Sequence, residues 1–296
     1  MPSLIHKFIL AVYRTGLVPN PMKMALENGR VIRQHPKEKQ QKKYKIATDK
    51  FQDFRVHSYG VPKDGEPILY FCHGGGFLIG MIEPYFDMIG NLQKELEFPA
   101  IAPDYPMPTE TDAIGMQAWI KAHFKATQAA FPNSKFIIAG DSAGAHMALR
   151  LAQQLSEEDR DPAIANIVGL YIMFGWLDLS RTESDYPHNK EEVLLEACVI
   201  GGAIDRFRGD IASNDARISP LFGSLNDLPP VRIVSGGKDM LYEESIALEK
   251  RLNEIGESLI HKKFSAYAHD FIMFPSSDAR KGIRDIAEMM RADVAS

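Results

Sequence analysis

The chain predicts an α/β fold, with a mostly parallel sheet carrying helices on both faces. Three observations lead there. Seven strand-like apolar runs recur after about residue 50, amphipathic helical repeats separate them, and glycine-rich turns follow two of the most apolar runs.

The strand-like runs are 54–59, 68–72, 100–103, 136–139, 167–174, 231–235 and 259–264. Between them Met88, Ile89, Leu92 and Leu96 share one helical face, and Ile114, Ile120 and Phe124 share another. Trp119 reads as packed on that second helix. Met147, Ala148, Leu151 and Leu155 follow the run at 136–139 with the same period. Ser245, Leu248, Leu252 and Ile255 form a further face, and Gly256 behind them suits a left-handed helix cap. Ile283, Ile286, Ala287 and Met290 make the last.

Before the first run, Leu4, Ile5, Phe8, Ile9, Val12 and Tyr13 repeat at helical spacing and predict an amphipathic helix lying on the same protein. Arg14 ends that stretch with no small-residue cleavage site behind it, so it does not read as a signal peptide. No run approaches the roughly 18 apolar residues of a spanning helix, and stable membrane insertion is not expected. Positions 30–45 carry Arg30, Arg33, Lys37, Lys39, Lys42, Lys43 and Lys45 against one acid, Glu38, and read as a solvated connector.

The stretch 176–213 interrupts the alternation at the carboxyl end of a strand, where ligands bind in such sheets; Leu194, Leu195, Cys198 and Val199 hint at a helix within it. With residues 1–48 it is expected to cap the site of one domain spanning 1–296, bringing Phe8, Tyr13, Tyr186 and Phe207 toward a pocket.

The 34 Lys and Arg residues against 39 Asp and Glu give a net charge of -5, which argues against nucleic acid as a partner. Two cysteines far apart, Cys72 and Cys198, make no disulfide framework. A reducing, cytoplasmic location is the expectation. Oligomeric state is left open, a homodimer included.

Gly140-Asp141-Ser142-Ala143-Gly144 lies between a strand and a helix, the setting of a nucleophile elbow. Alone it is a weak pattern. His73-Gly74-Gly75-Gly76-Phe77, directly after the apolar run at 68–72, strengthens it, and together they point to hydrolytic chemistry. A nucleophilic serine needs a base, an orienting acid and donors for an oxyanion, and on this fold they follow in the order Ser, acid, His.

That order selects His269, in the loop past 259–264, over His261 within the strand. It selects Asp239, four residues past Ser235, as the acid. Glu243 and Glu244 begin the next helix, where acids are favoured electrostatically in any case. Gly75, Gly76 and the amide of Ala143 are the expected oxyanion donors. His73 is expected to support the glycine loop, together with Gly74, rather than act as a base. Asp141 reads as a partner for local backbone and His146 as a packed helix histidine. Histidine spacing gives no metal site, and the glycine triplet lacks the Gly-Lys-Ser/Thr ending of a phosphate loop.

These motifs, with Gly80, Ser219-Pro220-Leu221, Asp239 and His269, resemble the hormone-sensitive-lipase-like branch of the α/β-hydrolases, the family IV bacterial esterases. The resemblance covers roughly residues 50 to 290. It implies an eight-stranded sheet, a cap from the N-terminal residues and an insertion after the sixth strand, and hydrolysis of short- to medium-chain acyl esters without a cofactor. A deacetylase or amidase would use the same triad, and a ligand-binding receptor on this fold would have lost a member of it. Two departures stand out. Pro106-Met107-Pro108-Thr109-Glu110 replaces an Arg-Leu-Ala-Pro-Glu-like stretch, and Asp270 stands where the family usually has glycine after the histidine. An acid beside His269 would raise its pKa or draw its ring away.

Overall fold

The computed structural model describes residues 1–157, 162–186, 192 and 194–296. All seven expected runs form strands, and one more precedes them. In chain order they are β1 (Ile46–Phe51), β2 (Phe54–Tyr59), β3 (Ile68–Cys72), β4 (Ala100–Pro103), β5 (Phe136–Asp141), β6 (Ile167–Met173), β7 (Val231–Gly236) and β8 (Leu259–Phe264). Among the described residues they make one eight-stranded sheet, ordered β1-β2-β4-β3-β5-β6-β7-β8. β2 runs antiparallel to both β1 and β4, and every later pairing is parallel.

The central strands β3 and β5 are buried along their whole length, as continuous apolar runs in a covered parallel sheet must be. β1 is the edge strand that patterning misses, because of its six residues only Ile46 is buried and Thr48, Asp49 and Lys50 face water.

Two apolar layers flank the sheet. Ile68, Tyr70 and Cys72 of β3 face helices α5 (Ala113–Ala130), α6 (Ala143–Glu157) and α8 (Tyr242–Glu254). Leu69 and Phe71 point the other way, toward α4 (Glu83–Leu96) and α9 (Ser277–Ala295). Alternation along one strand thus serves both layers. The insertion after β6 contains helix α7 (Ala197–Arg208), which begins after Leu194 and Leu195 rather than including them. The rest of what was expected of 187–191 and 193 lies outside the described residues.

The N-terminal segment forms α1 (Leu4–Arg14), α2 (Pro21–Asn28) and α3 (Glu38–Tyr44). α1 docks through His6, whose ring meets Tyr267, Phe271 and Phe274 edge-on, while Phe8 faces solvent, contrary to the expectation that it reaches the pocket. Among the described residues no helix is long and apolar enough to cross a membrane.

The 30–45 stretch is more than a solvated connector. Its lysines are exposed, but Ile32 bridges Ile79, and the buried ring of Tyr44 fills the space over Gly90. Arg33 reaches Asp104 at 3.0 Å and both carboxylate oxygens of Glu110. Asp104, just past β4, also accepts from Arg55 at 2.8 Å and from the Met81 amide at 3.0 Å. A lone positive run in sequence hides this because its partners lie about 70 residues away.

Asp104 is therefore the buried anion joining the N-terminal segment to the sheet. Asp104→Ala leaves two mostly buried guanidiniums short of a partner, which typically destabilises by about 3 kcal/mol or more. Urea unfolding of that variant is expected to show the loss, whereas Glu38→Ala, which breaks only the exposed pair with Lys42, leaves the midpoint unchanged.

Candidate active site

The serine sits between β5 and α6 at a φ of 54°, a left-handed conformation that a non-glycine residue adopts only when its surroundings impose it. Hydrogen bonds on both sides of Ser142 impose it. Its amide donates to the Met173 carbonyl at 2.9 Å, and its carbonyl accepts from the Trp176 amide at 3.2 Å. The flanking glycines are required for closeness rather than for φ. A Cβ on Gly144 would lie 2.1 Å from the Cys72 carbonyl oxygen, and one on Gly140 would lie 2.3 Å from that of Gly144.

His269 and Asp239 come together from two loops that nearly touch. A Cβ on Gly236 or Gly237 would strike the carbonyls of Tyr267 or Ser265, at 2.5 and 2.6 Å, so both positions must lack a side chain. The Lys238 amide then donates to Tyr267 at 3.0 Å. In that register His269 Nδ1 stands 3.0 Å from each Asp239 oxygen, and Oδ1 of Asp239 also accepts from the Leu241 amide. Burial pushes the Asp239 carboxyl up to about 6 despite the imidazole beside it. Burial acts to lower His269, but the facing carboxylates of Asp239 and Asp270 outweigh it and hold the imidazole well above its usual value.

Ser142, His269 and Asp270 line one cavity of about 640 Å³, together with Gly75, Tyr13 and Met22. The glycine loop is fixed to the elbow by Asp141, whose oxygens accept from the Gly74 amide at 3.0 Å and the Tyr85 hydroxyl at 2.9 Å. The Gly74 amide is distant in sequence, so Asp141 does not serve local backbone as expected. Gly75 and Gly76 have φ of 104° and 61°, and the Gly75 carbonyl accepts from Leu78 and Ile79. Among the described residues no hydrogen bond takes up the amides of Gly75, Gly76 or Ala143. Ala143 is the first residue of α6, where an amide has no partner within the helix.

His73 supports this loop as expected. Its Nδ1–H donates to the Gly74 carbonyl at 2.8 Å, its ring stacks on Tyr105 at 4.3 Å, and burial pushes its pKa down to about 4. His146 is likewise buried and neutral, with Nδ1 on the Trp176 carbonyl. Trp119 is buried on α5.

His261 has partners that its strand position did not disclose. Its Nε2 is 2.7 Å from Ser235 Oγ and its Nδ1 is 2.9 Å from Glu249. This second Ser-His-acid set has no substrate access, because Ser235 is fully buried in regular strand.

Of the two acids opening α8, Glu243 is exposed, but Glu244 is fully buried. It accepts from the amides of Leu177 and Asp178 and so anchors the start of the insertion. No sequence signal separates it from its neighbour beyond the helical spacing that sets Glu244 and Leu248 on one face.

A match to the family described as alpha/beta hydrolase fold spans residues 68–273. The chain belongs to that family, in its hormone-sensitive-lipase-like branch. It is a hydrolytic enzyme whose relatives are esterases and acetyl-hydrolases. It is similar to an esterase of Acinetobacter venetianus, at 26% identity over 97% of this chain and 93% of the relative. An ethyl acetate hydrolase of Pseudomonas putida is 25% identical over 80% of this chain and 77% of its own. Among solved structures, EstE5 soaked with p-nitrophenyl butyrate superposes with a TM-score of 0.83 at 18% identity, each chain covered completely. A hyperthermophilic esterase from the archaeon Pyrobaculum calidifontis does so at 0.80 and 18%, also over both whole chains. At such identity the superposition speaks for the fold alone.

Burial pushes the Glu244 carboxyl up from 4.5 to about 8. Between those two values the folded state binds the proton more tightly than the unfolded chain, so its share of stability falls as pH rises through that window. Glu244→Gln keeps an acceptor for both amides without a charge. Its melting temperature is expected to vary less with pH between 5 and 8 than that of the wild type, and Glu244→Ala to melt lower at every pH because two buried amides lose their partner.

Proposed function

We propose that this protein is a serine carboxylesterase acting on short- to medium-chain acyl esters. The observation that carries this is the convergence of a strained serine and an Asp239-paired histidine on one cavity wall. Ser142 Oγ attacks the ester carbonyl while neutral His269 takes its proton at Nε2, and Asp239 holds Nδ1–H so that Nε2 presents the lone pair. The amides of Gly75, Gly76 and Ala143 receive the oxyanion. His269 then protonates the leaving alkoxide, and water repeats the cycle on the acyl-enzyme.

The N-terminal segment up to about residue 45 and the insertion at 176–213 act as the cap, since the sheet itself begins at Ile46. Two observations support it. Asn20 Nδ2 donates to Glu196 at 3.0 Å, and Arg206 to the carbonyls of Ala25 and Leu26, so the two pieces hold each other. Both also line the cavity, through Tyr13 and Met22 on one side and Leu194 and Leu195 on the other.

Ser142→Ala is expected to lower kcat by roughly 10⁴ to 10⁶ on p-nitrophenyl acetate with the fold retained. Phenylmethylsulfonyl fluoride should label the wild type once, at Ser142. Mass spectrometry placing the adduct on Ser235 instead would overturn the assignment.

Met22 approaches the position of a Gly76 Cβ to 3.0 Å and lines the chamber, so Met22→Trp should shorten it. Each acyl methylene denied burial is worth about 0.8 kcal/mol, or roughly fourfold in kcat/KM. Hexanoate esters should therefore lose more than acetate esters. An unchanged acyl-length profile would remove α2 from the acyl site.

A further inference from the structure

Asp270 follows His269 at a φ of 43°, a left-handed conformation open to Asp because of its short polar side chain. The carboxylate folds back along the histidine ring, and its Oδ2 lies 3.1 Å from Nε2, the nitrogen that must meet Ser142. Its other oxygen, Oδ1, is buried with no hydrogen-bond donor among the described residues. Beyond it stands Asp141, already accepting from Gly74 and Tyr85.

Two adjacent buried carboxyls cannot both ionise without large cost. Burial, first, and the charge of Asp270 hold the Asp141 carboxyl well above the usual carboxylate range. Acids from three segments thus lie around the imidazole. Asp239 comes from the loop after β7, Asp270 from its own loop, and Asp141 from the end of β5. Glu192 of the insertion accepts from the His269 amide at 3.3 Å. Lys23 and Glu196 stand further out, on the cavity wall, and the Phe174 ring adds an uncharged edge.

We propose that Asp270 is a positioning residue that holds the Nε2–H of His269 in the resting enzyme, storing the base as an imidazolium clamped between two carboxylates. This rests on His269 being the general base. Before acylation the Nε2 proton passes to water in the cavity, and the freed lone pair turns to Ser142. It takes the hydroxyl proton as the serine oxygen bonds to the carbonyl carbon, and delivers that proton to the alkoxide as the ester C–O bond breaks. The imidazolium formed on the way is again flanked by both carboxylates, so Asp270 strengthens the base at high pH while withholding it at low pH.

The test is the acid limb of kcat/KM for p-nitrophenyl acetate, which reports the free enzyme. In the wild type it should lie clearly above the ordinary histidine value of 6.5. Asp270→Asn keeps the shape without the charge, and Asp270→Gly suits the left-handed backbone. Both should move the limb down by about one pH unit or more, roughly a tenfold gain at pH 6 relative to each variant's own plateau, with a lower plateau above pH 9. A purely structural role would lower the whole profile without moving the limb.

NMR titration of the His269 ring in Ser142→Ala, with and without Asp270→Asn, reads the same shift without turnover. A shifted titration alongside a wild-type protein that hydrolyses no ester would leave the clamp standing and remove the esterase reading. A limb and a ring titration that stay in place in both Asp270 variants would overturn the proposal.

Discussion

The structure depends on how closely two backbones pass where β3 and β5 end. The carbonyls of Cys72 and His73 occupy the space that a side chain at position 144 would need. That proximity allows α6 to start directly above the sheet, while the hydrogen bonds to Met173 and Trp176 hold Ser142 in the left-handed region. It also brings the glycine loop after β3 within reach of Asp141, so the loop and the elbow share one carboxylate. Tyr85, through its hydroxyl on the same carboxylate, ties α4 to them. The nucleophile, its loop and one flanking helix thus meet at this one close contact.

Around this contact the molecule buries carboxylates and satisfies each differently. Asp104 faces two guanidiniums, Asp239 an imidazole, Glu244 a pair of amides, and Asp141 an amide and a phenol. Burial favours the neutral form of an acid, and a facing cation opposes it. Asp141 and Glu244 lack such a cation at hydrogen-bond distance and are pushed up, and so is Asp239 even with the imidazole beside it. The uneven partnering leaves Asp239 at about 6 and Glu244 at about 8.

Much of this was legible in the sequence because the informative residues act locally. Strands buried on both faces read as unbroken apolar runs, and the serine elbow is five consecutive residues. The chain order of Ser142, Asp239 and His269 then left few candidates. β1 escaped because an edge strand with one buried residue carries no alternation. The anchoring of 30–45 escaped because Arg33 and Asp104 are paired across most of a hundred residues, and the separate fates of Glu243 and Glu244 because adjacent helix positions differ in what faces them. Asp270 was visible as a departure, but its turn back toward Nε2 depends on a backbone angle.

The pairing of Ser235, His261 and Glu249 bears on how active sites are recognised. β7 and β8 run in parallel with Ile233 beside His261, which brings the Ser235 hydroxyl to the imidazole, and α8 adds the Glu249 carboxylate on its other side. One chain therefore contains the same three functional groups twice. In the second set the serine lies in relaxed strand backbone, packed on every side, and the trio merely joins a helix to a sheet. Side-chain distances describe a route for a proton. Whether a reaction travels it is decided by an empty volume for the acyl group and by a backbone bent so that the oxygen projects into that volume.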